Sequence, residues 1–265
     1  PNENYRHDGK WNTSKYRLEV SNLGPIRIQV PYVRIIGLQI GLTVVDLSNK
    51  NAIYFGYTGT PAEYVVSHSI IKGNLSGTAT GCYGIAGTYQ TSGSRVAKIY
   101  NNIVYDWVNG TNSNTGIRLS LGDGWDFYVS NNTVYGCYTG YLLSSQALVK
   151  NCLAQNCNNG FGGTPDPSSD YNCSDISGDA PGANSVIGTV TFVDTANDDY
   201  HLDPSDTVAK DAGTDLSSDP NLAFTDDIDG ETRSGTWDIG ADEYVALAGL
   251  SIPVAMHHYQ QQMRT

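Results

Sequence analysis

The stretch Val129-Ser130-Asn131-Asn132-Thr133-Val134, followed by Gly140-Tyr141, decides the reading of this chain. Upstream it has counterparts in Ile99-Tyr100-Asn101-Asn102-Ile103-Val104 and Val66-Ser67-His68-Ser69-Ile70-Ile71. Downstream comes Val149-Lys150-Asn151-Cys152-Leu153-Ala154, and Ile35-Ile36-Gly37-Leu38-Gln39-Ile40 is a weaker early copy. The third positions, 68, 101, 131 and 151, lie 33, 30 and 20 residues apart. Each copy then reaches a glycine and a bulky residue, as in Gly84-Ile85, Gly116-Ile117, Gly140-Tyr141 and Gly160-Phe161. Self-similarity at such a period marks a repeat architecture.

The pattern predicts a solenoid of short strands. Val66, Ile99, Val129 and Val149 form an inward row. Asn at the corner suits a left-handed backbone, which it tolerates better than most residues. Stacked Asn side chains can hydrogen-bond from coil to coil. Glycine ahead of the bulky residue supplies a second tight corner. The longer steps are the same coil with loops inserted. Six residues past the corner stand Asn74, Trp107, Cys137 and Cys157, so Cys137 and Cys157 should be neighbours about 4.8 Å apart, as a column of buried thiols rather than a disulfide. A β-sandwich does not require recurring corner residues at these steps, and leucine-rich or helical repeat signatures are absent.

The rest of the 265 residues bounds the answer. Charged residues are 16% and hydrophobic residues 39%, with 29 Gly and 18 Tyr, which excludes a coiled coil and ordinary charged disorder. No apolar run reaches the length of a membrane helix. The net charge is −12, and no basic face for nucleic acid is visible. The acidity sits in one block: from Asp194 to Glu243, thirteen Asp and two Glu face one Lys and one Arg. Such a block reads as a solvated acidic surface, or as a Ca²⁺ site with Asp226, Asp227 and Asp229 as candidate ligands. The five cysteines show no zinc or disulfide-framework spacing. The opening at Pro1, in mid-pattern and without a signal peptide, reads as a processed product or a fragment.

These corners resemble those of right-handed parallel β-helix proteins, the pectate-lyase-like superfamily. Tyr200-His201-Leu202, Asp211-Ala212-Gly213, Asp227-Ile228-Asp229-Gly230-Glu231-Thr232-Arg233 and Asp238-Ile239-Gly240-Ala241-Asp242-Glu243-Tyr244 resemble the closing segment of bacterial and phage-associated extracellular β-helix proteins. The resemblance implies an all-β, right-handed parallel β-helix, an extracellular or virion-surface setting, and a further N-terminal capping coil lying outside this chain. The expected organisation is an edge layer over 1–26, coils over 27–193, an acidic closing or capping segment over 194–244 and an attachment or oligomer tail over 245–265. Within the coils, 162–188 reads as a long Gly-, Pro- and Ser-rich loop. Arg233 reads as an internal ion-pair partner.

Function is less legible. The inserts 72–83 and 107–115 follow equivalent corners and should wall a shallow groove. The outward row four residues past the corner reads Lys72, Tyr105, Tyr135 and Gln155, with Tyr100, Arg118 and Trp125 nearby. Aromatic rings, carboxylates and an Arg fit sugar binding, so Tyr100, Tyr105, Tyr135, Trp125 and Lys72 are expected to contact substrate. For catalysis, Arg118, Lys98, Lys72 and Tyr105 offer the types needed for the neutralising cation and base of a lyase. Asp106, Asp123 and Asp126 are candidates for a glycosidase carboxylate pair. No spacing singles out either set, and the Gly-His-Gly and Arg-x-Lys motifs of polygalacturonases are absent. The leading expectation is a non-catalytic structural or adhesive protein that binds a polysaccharide or cell-surface glycan and assembles through its tail. The alternative is a polysaccharide-degrading enzyme, lyase ahead of hydrolase.

Overall fold

The computed structural model describes residues 6–110, 113–119 and 122–245. Its strands form three long parallel sheets. Sheet 1 runs through Leu18–Ser21, Gln39–Val45, Ile70–Ser76, Ile103–Tyr105, Thr133–Tyr135, Leu153–Gln155, Cys173–Ser174 and Val186–Ile187. Sheet 2 contains Ile26–Ile28, Asn51–Phe55, Tyr83–Gly87, Thr115–Arg118, Thr139–Leu143 and Asn159–Gly163. Sheet 3 contains Val33–Ile36, Ala62–Ser67, Arg95–Tyr100, Asp126–Ser130 and Ala147–Lys150. Each turn of chain passes from sheet 3 through the Asn corner to sheet 1 and on to sheet 2. This is an all-β parallel β-helix. Among the described residues no helix is long and apolar enough to cross a membrane.

Equal offsets in the sequence become columns in space. Val66 pairs with Ile99, Ile99 with Val129 and Val129 with Val149, and all four are buried. His68, Asn101, Asn131 and Asn151 have φ of 49°, 50°, 50° and 52°, the left-handed corner expected for them. The second residue of each pair ties coil to coil. Asn132 Nδ2 donates to Ile99 O at 2.8 Å, while its Oδ1 accepts from Asn102 N at 3.1 Å. Asn102 Nδ2 donates to Val66 O at 2.9 Å, and Cys152 N to Asn172 Oδ1 at 2.9 Å. At the second corner a side chain has no room: a Cβ on Gly84 or Gly140 would lie 2.6 Å from the carbonyl oxygen of the glycine on the next coil. Close approach selects glycine there, because only hydrogen fits.

Several boundaries are corrected. The coils begin at Leu18, whose strand pairs with Gln39–Val45, and not at residue 27. The stretch 162–188 is not a free loop: Cys173–Ser174 and Val186–Ile187 add two rungs to sheet 1. All five cysteines are free thiols.

The largest correction concerns 194–244. Expected to cap the open end, it lies lengthwise along the flank, over the Asn corners and the outer face of sheet 1. Successive corner residues hold it: Asn151 Nδ2 donates to Thr214 O at 2.8 Å, Asn131 Nδ2 to Asp238 O at 3.0 Å, and Asn101 Nδ2 to Asp226 O at 2.7 Å. Beneath it, Ile70 and Ile103 pack with Tyr200, Ile228 and Ala241, and Leu153 and Cys173 with Leu202 and Ile239. Where the segment covers it, sheet 1 thus presents apolar side chains on its outer as well as its inner face. Arg233 is buried in the segment and pairs with Glu243 at 3.2 Å. The N-terminal stretch joins the same face: Gln39 Nε2 donates to Asn12 O and Tyr16 O, both at 3.1 Å, and Lys10 pairs with Asp199 at 3.0 Å. The tail expected to mediate assembly lies, from residue 246 onward, outside the described residues.

Candidate ligand-binding face

The expected groove is filled. Register places Lys72, Tyr105, Tyr135 and Gln155 in one outward column, as read from the sequence. The flank segment then covers it. The Tyr105 and Tyr135 rings pack on Tyr200 with centroids 4.8 and 5.1 Å apart, and Tyr100 packs on Phe224 at 4.9 Å. Lys72 pairs with Asp198 at 2.6 Å. Tyr105 is fully buried, and burial, with Asp198 and Tyr200 nearby, drives its phenol far above the ordinary range, so it offers no base. Trp125 is 1% exposed and stacks on Phe127 inside the core. Tyr100, Tyr105, Tyr135 and Trp125 are therefore packing residues, and the reason is the apolar underside of the flank segment.

The carboxylates do not converge either. Asp123 and Asp126 are exposed around the loop before Phe127, whereas Asp106 is half-buried at the margin of sheet 1, where burial raises its pKa. The candidate Ca²⁺ ligands have other work. Asp227 Oδ1 accepts the backbone N–H groups of Asp229, Gly230 and Glu231 at 3.0, 2.9 and 2.8 Å. Asp226 faces His68 at 3.2 Å. Asp229 belongs instead to the group His201, Asp229 and Asp242, whose ligand-type atoms lie within 4.8 Å of one another. Both ring nitrogens of His201 already face carboxylates, Asp199 at 2.5 Å and Asp229 at 2.9 Å. Carboxylates only accept, so both nitrogens donate and the ring is an imidazolium. Charge pairing accounts for the contacts of this cluster.

The exposed face with unassigned chemistry is the outside of sheet 2. In this sheet Ile53, Ile85, Ile117 and Tyr141 point inward and are buried, so the residues between them point out. One outward column reads Arg27, Tyr54, Ala86, Arg118 and Leu142. Beside it Asn51 and Tyr83 pair in register and reach the same surface. Arg27, Asn51, Tyr54, Tyr83 and Arg118 border an open concavity of ≈ 550 Å³, lined also by Lys50 and Tyr89. The Arg27 guanidinium lies 5.1 Å from the Tyr54 ring centroid, and that of Arg118 lies 5.1 Å from Tyr83. Three rungs separate the two arginines, about 14 Å along the solenoid.

Three cations and three tyrosines line this concavity, with no carboxylate among the described residues. None of Arg27, Lys50 and Arg118 has an ion pair among the described residues, although the chain carries net charge −12. Of these residues only Arg118 stands out in the sequence. Its partners are hidden because the earlier coil has Ala52 where later coils have the corner glycine, so Asn51-Ala52-Ile53-Tyr54 does not align by eye. No family model, curated protein or solved structure matches the chain.

Proposed function

We propose that this protein is a non-catalytic adhesive β-helix that binds an acidic polysaccharide along the outer face of sheet 2, in an extracellular or virion-surface setting, within the pectate-lyase-like superfamily. The observation that carries the reading is the unpaired set Arg27, Lys50 and Arg118 interleaved with Tyr54, Tyr83 and Tyr89. Tyrosine rings give apolar platforms for sugar faces. Guanidinium groups recognise carboxylate or sulfate by paired, charge-assisted hydrogen bonds. The face is open and runs along the solenoid, which suits a polymer better than a small molecule enclosed in a pocket.

The test is titration with polygalacturonate and heparin, with dextran as the uncharged control, at low and high salt. Binding of an acidic polymer that weakens with salt is expected. In the double variant Arg27→Ala/Arg118→Ala, affinity should fall about 10–100-fold, the loss of one or two charge-assisted hydrogen bonds. Equal binding of dextran, or an unchanged double variant, would refute the reading. A steady rise in unsaturated-product absorbance on polygalacturonate would move the protein to the lyases.

A further inference from the structure

A second concavity, of ≈ 390 Å³, lies on sheet 1 around Trp11, Glu19, Lys72 and Asn74. It occupies the part of sheet 1 that the flank segment leaves bare. Here the outward column reads Glu19, Gly41 and Lys72, and the next reads Ser21, Thr43 and Asn74. Gly41 matters because it leaves the floor empty beneath an indole: a Cβ built there would lie 3.3 Å from Trp11 Cη2. Trp11 is half-buried, its indole wall standing over a floor of hydroxyl and amide groups. Asn74 Nδ2 lies 3.4 Å from Thr43 Oγ1, a weak contact on an exposed surface that leaves both groups free to exchange partners.

Charge sets the ligand class. Among the described residues the one cation in the lining is Lys72, held by Asp198 at 2.6 Å and lying 5.8 Å from the Trp11 ring centroid, while Asp106 and Glu19, the latter paired with Arg17 at 2.6 Å, add carboxyl groups. An acidic polymer would be repelled. A platform ring beside hydroxyl, amide and carboxylate groups matches an uncharged pyranose, whose apolar face stacks while its hydroxyls bond the floor. We propose that this concavity is a second saccharide site, specific for uncharged sugars and distinct from the basic face of sheet 2. The loops that connect sheet 1 to sheet 2 separate the two, so a heteropolymer or branched glycan with both kinds of residue would engage both.

The chain carries its own reporter. Of the four tryptophans, Trp107, Trp125 and Trp237 are 0–2% exposed, leaving Trp11 as the one in contact with solvent. Titrating the full chain with cellotriose and with the N-acetylglucosamine trimer should shift or enhance tryptophan fluorescence and protect it from acrylamide quenching. The galacturonate trimer should not do so. Trp11→Phe should abolish the optical change. Asn74→Ala, which removes a single weak surface bond, should weaken binding about 3–10-fold in calorimetry. No fluorescence response to either uncharged trimer at millimolar concentration, or binding unaltered in Asn74→Ala and Trp11→Phe, would overturn the proposal. The readout is independent of Arg27 and Arg118, so failure here leaves the sheet 2 reading standing, and the reverse also holds.

Discussion

Arg233→Met should cost about 3–5 kcal/mol of stability, the penalty for removing one partner of a buried ion pair. The guanidinium donates to Asp226 O at 3.0 Å, Ala241 O at 2.8 Å, Gly240 O at 3.1 Å, Asn101 Oδ1 at 3.1 Å and Glu243 Oε2 at 3.2 Å. It thus joins a corner of the solenoid to two other stretches of the flank segment, Asp226 and 240–243. Methionine fills similar volume but leaves the buried carboxylate of Glu243 without its counter-ion. Arg233→Lys should rescue little, because a point ammonium cannot span that fork of acceptors. Urea unfolding followed by fluorescence, with Trp237 packed near Arg233 as one reporter, measures the loss. A change under 1 kcal/mol would mean that the flank segment is anchored elsewhere.

The second large effect is on pH. Stability should rise between pH 8 and pH 5, by on the order of 2 kcal/mol. Burial alone would lower the pKa of His201, but hydrogen bonds to Asp199 and Asp229, with Asp242 nearby, raise it to about 11. For a base with a raised folded pKa, stabilisation is complete below the unfolded value near 6.5 and is lost as pH climbs through 11. Burial raises Asp238 to about 6 and Asp242 to about 7. Their burial therefore costs most at pH 8, when they are ionised, and less as they take up protons. One group opposes: burial lowers His7 to about 4, so unfolding is favoured as pH falls below 6.5. Three contributions outweigh one down to about pH 5. Below pH 4 the trend reverses, because Asp199, which His201 and Lys10 hold at about 2 against the cost of burial, loses its contribution as pH drops through that value. His201→Gln should shrink the rise. A protein more stable at pH 8 than at pH 5 would contradict the charge assignment of the flank cluster.

Much of this fold is legible in the sequence because its determinants are local. Asn101, Asn131 and Asn151 announce a left-handed corner, and inward Val and Ile repeat at fixed offsets from it. What stayed hidden is what covers what. The signal was present: Ile70-Ile71, Ile103-Val104 and Leu153-Ala154 are apolar at consecutive positions, and consecutive strand residues face opposite ways, so both faces must be covered. Read that way, Tyr105 and Tyr135 become packing residues, and Tyr200 and Phe192 their partners. Arg27 and Arg118 lie far apart in sequence and share one face only because the intervening coils stack, so no spacing rule pairs them. Within the acidic block several carboxylates cap turns, as Asp203, Asp206, Asp215, Asp219 and Asp227 do, a role that composition alone does not reveal.

The central claim is that the flank segment seals sheet 1 from Tyr105 onward and leaves sheet 2 open to ligand. Hydrogen exchange of the full chain, free and saturated with an acidic polysaccharide, tests it most directly. Added protection is expected in Asn51–Phe55, Tyr83–Gly87 and Thr115–Arg118, with 194–244 equally protected in both states. Protection appearing instead across Ile103–Tyr105 and Thr133–Tyr135, with loss of protection over 194–244, would show that the segment lifts to admit ligand to the sheet it covers, and would contradict the account.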